Sequence, residues 1–160
     1  MNPSRVLCKS VHHGNTRQVA QRIADVLETA VVEPQEATIS SDEAPMMIGI
    51  GSGIYWGRFH SVVRRWVRNL PSDAGRGHEV FVFSTSGLPI LRALYHLPLK
   101  RALRKKGFSV VGEFSCRGHD TFGPLWFIGG LNRKHPNERD LKRAEAFAGQ
   151  LLDRSQSQRR

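Results

Sequence analysis

Ser10-Val11-His12-His13-Gly14-Asn15-Thr16 lies between a compact apolar run, Val6-Leu7-Cys8, and a stretch in which Val19, Ala20, Ile23, Val26 and Leu27 recur at the spacing of one buried helix face. A chain that turns from strand to helix in so few residues leaves the first amide groups of the helix pointing out of the strand's carboxyl end. The positive end of the helix dipole stands behind them, and such a corner suits an anion. Gly14 lets the backbone approach a ligand or take positive φ, while Ser10, Asn15 and Thr16 offer short side chains that cap a helix or bond a phosphate oxygen. A plain strand-to-helix turn with an Asn or Thr cap reads the same stretch equally well, so the later loops decide.

The 160 residues, 39% apolar, are enough for one core and too few for two comfortable domains. We expect a single domain over 1–154 and a frayed polar tail over 155–160. No apolar run approaches the ~20 residues that cross a bilayer, and Met1-Asn2-Pro3-Ser4-Arg5 lacks the apolar centre of a signal peptide. The expectation is a cytoplasmic protein without a membrane span. Cys8 and Cys116 fall near the ends of separate strands, without zinc spacing or a disulfide framework, and read as reduced, packed residues. The histidines show no paired helical spacing with acids or cysteines, so no metal site is expected. A net charge of +10 implies attraction to something acidic: a partner protein, an anionic membrane surface or nucleic acid. The basic residues are spread over several helices, as on an ordinary solvated surface. No helix-turn-helix, RNP or zinc-finger pattern accompanies them, so no specific nucleic-acid partner is expected.

Further along, Ala30 to Glu33 is a short β-branched run ended by Pro34, which reads as an edge strand. Met46 to Ile50 is continuously apolar, as a parallel strand covered on both faces should be. It leads into Gly51-Ser52-Gly53-Ile54-Tyr55-Trp56-Gly57, a flexible backbone bearing two flat rings suited to lie against a planar ligand; the bland reading is that both aromatics plug a gap. A helix is expected from Phe59 to Leu70, a strand over Val80 to Phe83, and then a hydroxyl-rich turn, Ser84-Thr85-Ser86-Gly87-Leu88-Pro89. Ile90 to Lys106 reads as a helix kinked at Pro98, and Phe108 to Cys116 as the last strand. The segment Arg117 to Lys134 carries enough apolar surface to cover the core edge or form a lid. A final helix starts near Asn137 or at Pro136, with Leu141, Ala144, Ala148, Leu151 and Leu152 inward.

Two other nucleotide readings fail on residues. The Walker pattern needs Gly-Lys-Ser/Thr, which the chain lacks. Gly49-Ile50-Gly51-Ser52-Gly53 superficially matches the dinucleotide fingerprint, yet its third glycine comes one residue early and Asp73 falls in a turn rather than after a second strand.

Gly14-Asn15-Thr16 directly after the first strand, the loop after the third strand, and the phrases Phe114-Ser115-Cys116-Arg117-Gly118 and His135-Pro136-Asn137-Glu138 resemble the flavodoxin family, over nearly the whole chain. The resemblance implies an α/β fold, a doubly wound five-stranded parallel sheet of order 2-1-3-4-5, with FMN as cofactor. It implies that Ser10, His12, His13, Gly14, Asn15 and Thr16 hold the 5′-phosphate, with imidazole N–H groups in place of the usual hydroxyls at 12 and 13. Gly53, Ile54, Tyr55, Trp56 and Gly57 would pack on the isoalloxazine, with Tyr55 or Trp56 stacking. Ser84, Thr85, Ser86 and Gly87 would meet its polar edge. The second stacking tyrosine of many flavodoxins is missing from that turn, which opens the outer ring face. The function implied is FMN-binding electron transfer without a catalytic side chain, served by a redox partner protein with an acidic surface, the chain itself being a monomer or weak dimer. Known flavodoxins are mostly acidic, and this chain is not. Gly53 to His60 also resembles flavodoxin-like oxidoreductases of the quinone-reductase or protoporphyrinogen-dehydrogenase type, and a flavin-free binding module is a third reading.

Overall fold

Runs of Val, Ile and Phe alternate with helical stretches, and in the computed structural model, which describes residues 3–11, 14–118 and 135–157, the runs become strands and the stretches covering helices. In chain order the elements are β1 (Ser4–Lys9), α1 (Asn15–Val26), β2 (Val31–Val32), β3 (Met47–Tyr55), β4 (Arg58–Phe59), α2 (Ser61–Asn69), β5 (Glu79–Ser86), α3 (Arg92–Lys105), β6 (Ser109–Arg117) and α4 (Glu138–Ser157). Five strands pair in parallel in the order β2-β1-β3-β5-β6, while β4 folds back antiparallel on β3. The expected doubly wound sheet is present, with one hairpin strand added.

A parallel sheet must be covered on both faces, and alternation along the strands divides the core accordingly. Val6, Cys8, Phe81, Phe83 and Phe114 pack under α1 and α4. Leu7, Ile48, Ile50, Val80 and Val82 pack under α2 and α3. The glycines of β3 are part of the first layer. A methyl group at Gly49 would stand 2.4 Å from the Phe81 ring, and one at Gly51 2.1 Å from the Phe83 ring, so both rings lie over bare backbone. Cys8 and Cys116 are free and buried, and burial pushes each thiol up to about 12.

Several boundaries differ from the sequence reading, each for a local reason. β2 is two residues long because Pro34 opens a 3₁₀ turn, Pro34–Glu36. β3 continues to Tyr55 rather than ending at Ile50, since its neighbours reach as far, with Lys9 opposite Ser52 and Thr85 opposite Gly53. α1 stops at Val26, and Glu28 turns the chain with φ 51°. α2 begins only at Ser61 because Phe59 is paired in the hairpin. α3 begins at Arg92 and runs through Pro98 without a break; the carbonyl this proline leaves unbonded belongs to the exposed Leu94. α4 persists to Ser157, beyond the expected start of the polar tail at 155. Its amino end is closed by a reciprocal pair: the Asp140 amide donates to Asn137 Oδ1 and the Asn137 amide to Asp140 Oδ2, each at 3.0 Å. The choice between lid and core cover for residues 117–134 falls almost wholly outside the described residues.

Candidate functional site

Where β1 ends, Lys9 is held by Glu33 at 2.9 Å. Gly14 takes φ 63°, a conformation other residues resist, and α1 starts on its carbonyl, which accepts from the Gln18 amide at 3.0 Å. The first-turn amides face the carboxyl end of the sheet, and no acidic residue in that turn cancels the dipole. Asn15 and Thr16 are buried there. His12 and His13, the other expected phosphate ligands, lie outside the described residues.

The loop after β3 is not the flexible segment expected. Trp56 at φ 52° and Gly57 at φ 73° are consecutive left-handed residues, and Tyr55 pairs with Arg58 across them in a tight two-residue hairpin. Ser52 braces it: its hydroxyl accepts from the His60 amide at 2.9 Å and donates to the Gly53 carbonyl at 2.7 Å. His60 Nδ1 accepts from the Val62 amide at 3.1 Å, capping α2. Burial first, and then Lys9, hold this imidazole below its ordinary range, which keeps Nδ1 an acceptor. The Tyr55 ring meets His60 edge-on at 5.5 Å and folds back over Gly53, where a methyl would sit 2.9 Å from its hydroxyl. Ile54 is half-buried opposite Phe59, whereas Trp56 projects from the turn, 83% exposed.

The third loop closes against the first. Thr85 Oγ1 and Thr16 Oγ1 share a buried hydrogen bond of 2.8 Å. The Gly118 amide, just past β6, donates to the Ser86 carbonyl at 3.1 Å. A methyl at Gly118 would lie 3.0 Å from the Thr85 side chain and 3.3 Å from the Asn15 amide, so a larger residue would make a neighbour give by a few tenths of an ångström where the three segments meet. The buried hydroxyls of Ser10, just past β1, and of Ser86, at the end of β5, have no hydrogen-bond partner among the described residues. Gly87 follows, half-buried.

Ser84 differs from the expectation. It is fully buried and looks towards α3, where its hydroxyl donates to His96 Nε2 at 2.7 Å and accepts from Ser115 at 3.0 Å. His96 Nδ1 in turn donates to Glu113 at 3.0 Å, which also binds Lys100 at 2.9 Å. Burial pushes His96 down to about 4, so the ring is neutral and the direction of these bonds is fixed. Ser84 thus anchors the strand beneath the loop, while Thr85 and Ser86 form its mouth.

Between loop one and the hairpin opens a cavity of about 600 Å³ walled by Val11, Tyr55, Trp56, Arg58, His60 and Arg64, with no carboxylate among the described lining residues. The Arg64 guanidinium is steadied by the Phe59 carbonyl at 3.0 Å. Tyr95 of α3 approaches the far side of the turn, 3.7 Å from where a Gly57 methyl would be. Sequence reasoning missed Arg58, Arg64, Tyr95 and Gly118. The left-handed pair Trp56-Gly57 between β-forming flanks was a hairpin signal that could have placed Arg58, whereas nothing local marks Gly118 or Tyr95.

No protein-family profile matches the chain. An uncharacterized protein of Methanocaldococcus jannaschii, MJ0298, is 38% identical over 147 residues, covering 92% of this chain and 96% of that one. Among solved structures, a flavodoxin from the domain Archaea superposes with a TM-score of 0.64 at 16% identity, over 94% of this chain and 96% of its own. Oxidised flavodoxin 1 of Bacillus cereus gives 0.61 at 16% identity over 94% and 98%. The apo form of an NADH:FMN oxidoreductase gives 0.62 at 13% identity over 92% and 87%. By sequence the chain belongs to the family of the Methanocaldococcus jannaschii protein, and its fold is that of the flavodoxin-like proteins.

Proposed function

We propose that the chain binds FMN at the carboxyl end of its sheet and serves as an electron-transfer protein. The observation that carries this reading is the pair of buried, partnerless hydroxyls, Ser10 in the first loop and Ser86 in the third. Leaving a buried polar group unpaired costs about 1–3 kcal/mol, so two of them, at the carboxyl ends of β1 and β5, point to a ligand with polar atoms that spans this end of the sheet. The residues present fit FMN. Ser10, Gly14, Asn15, Thr16 and the open end of α1 suit the phosphate, and His12 and His13 remain candidates for the same anion. Thr85, Ser86 and Gly87 suit the polar ring edge, and Gly53, Ile54, Tyr55, Trp56 and Gly57 offer the stacking surface. FMN, when bound, supplies reversible acceptance of electrons. The chain's part is to grip, orient and shield it, and to set the field around it through the α1 dipole, Arg58 and Arg64. Similarity in fold to flavodoxins supports the reading.

A second reading is an FMN-dependent oxidoreductase of the quinone-reductase or protoporphyrinogen-dehydrogenase type. It is favoured by the cationic cavity of about 600 Å³ beside the hairpin, large enough for a substrate. An absorption spectrum and a reduction assay test both. One FMN per chain that NADH and NADPH leave oxidised unless a reductase is added supports the carrier. Direct bleaching by either nucleotide moves the assignment to the enzyme. A protein that takes up no FMN overturns both.

A further inference from the structure

The large hydrophobic side chains that stand exposed among the described residues gather at one end of the molecule: Val11, Trp56, Leu88, Ile90, Leu91 and Leu94. All follow the carboxyl ends of β1, β3 and β5. The last four lie within one 3₁₀ turn, Pro89–Leu91, and the residues flanking it up to the first turn of α3, with Ile90 86% and Leu94 66% exposed. Protruding aliphatics gathered so closely mark an interaction site rather than the scattered apolar atoms of any surface. Along α2 and α3 the charge has one sign, whereas at the end of β1 Lys9 is paired with Glu33. No Asp or Glu occurs between Asp73 and Glu79 at one end and Glu113 at the other, nor between Glu43 and Asp73, so α2 and α3 carry arginines and lysines alone. Arg92, Arg101 and Lys105 are exposed along α3, behind its apolar head. The opposite face is mixed, since α1 holds Asp25 and α4 holds Glu138, Glu145 and Asp153.

We propose that this face seats the protein on an anionic lipid bilayer, with Leu88, Ile90, Leu91, Leu94 and Trp56 entering the headgroup layer and the basic side chains of α3 against the lipid phosphates. The two observations select the partner together. Nucleic acid would match the charge and leave the protruding aliphatics in water; an interior-facing apolar partner would strand the cations. A bilayer with anionic headgroups accepts both, aliphatics below and cations above, with tryptophan at the boundary. No helix among the described residues is long and apolar enough to cross a membrane, so the attachment is peripheral. It requires that Tyr55, rather than Trp56, supply the stacking ring of the candidate site, and is otherwise independent of that site's ligand.

The test is co-sedimentation of the full chain with vesicles of phosphatidylglycerol and phosphatidylcholine in equal parts, and with phosphatidylcholine alone. The wild type pellets with the first and not the second. Ile90→Ser with Leu94→Ser, both exposed positions, lowers the partition coefficient about tenfold or more, as does Arg101→Glu with Lys105→Glu by a separate route. Tryptophan emission shifts to the blue with anionic vesicles, and the shift shrinks in Trp56→Phe. Ile90→Ser alone repeats the loss more weakly should the double variant misfold. Binding unchanged by the serine variants means adsorption by charge alone and overturns the proposal. So does absence of vesicle binding, or a stable dimer in solution that the serine variants dissociate, because a second copy then covers the patch.

Discussion

A buried histidine stands at each end of the inner strand β5, and the two are used differently. At the amino end, His78 Nδ1 accepts from the Met46 amide at 3.3 Å and Nε2 donates to the Ser40 carbonyl at 2.9 Å, so its ring ends on backbone and closes that side. At the carboxyl end, His96 hands its bonds to Ser84, Ser115 and Glu113, and immediately beyond them the partners run out at Ser86 and Ser10. One edge is finished by its own side chains, whereas the other is built to be finished by something else, as open parallel sheets are at their topological switch.

The contrast can be broken most severely at the closed end. His78→Leu strands the Met46 amide and the Ser40 carbonyl, and should cost about 2–5 kcal/mol of stability while leaving FMN affinity of the folded protein unchanged; denaturant melts with flavin titration check both. At the other end, pH does comparable work. Unfolded His96 takes up a proton near 6.5 and folded His96 only near 4, so between those values the unfolded chain binds more protons and stability falls as pH drops. The loss by pH 4 amounts to at most about 3 kcal/mol, and His96→Gln should flatten that part of the profile in urea melts at stepped pH. Ser86→Ala sharpens the comparison, since it removes a hydroxyl that the chain itself does not use. Apoprotein stability should hold or rise by about 1 kcal/mol, while FMN affinity drops roughly tenfold, in contrast with an ordinary buried serine. Trp56→Ala, at an exposed turn tip, should move the melting free energy by less than about 0.5 kcal/mol, and an effect above 1 would show that the ring packs in the apoprotein.

The sheet was legible because β1, β3 and β5 carry continuous apolar runs, as strands covered on both faces do, and because a glycine or hydroxyl cluster follows each of those three. The first loop was legible for the same reason, as Gly14 with Asn15 and Thr16 is a local signal. What escaped was set by distant partners. Gly51 to Gly53 looked like loop because two glycines in three residues weaken any strand, yet Phe83 needs the bare backbone at Gly51 and β1 and β5 supply the pairing. Ser84 looked like its neighbours in a hydroxyl-rich turn, and only the alternation of β5 sends it towards His96, a residue twelve positions away whose burial no local pattern announces. Gly118 packs closely against Thr85 and Asn15, and such a three-segment junction has no signature in any one of them.

Parallel titrations of the apoprotein with FMN and riboflavin, followed by flavin fluorescence, bear most directly on the open end of the sheet. The account predicts one FMN per chain bound about a hundredfold or more tighter than riboflavin, because charge-assisted bonds from the first loop reach the phosphate alone. It also predicts that Asn15→Asp with Thr16→Glu removes that preference while leaving riboflavin affinity nearly unchanged. Equal affinity for the two flavins, or uptake of neither, would contradict it.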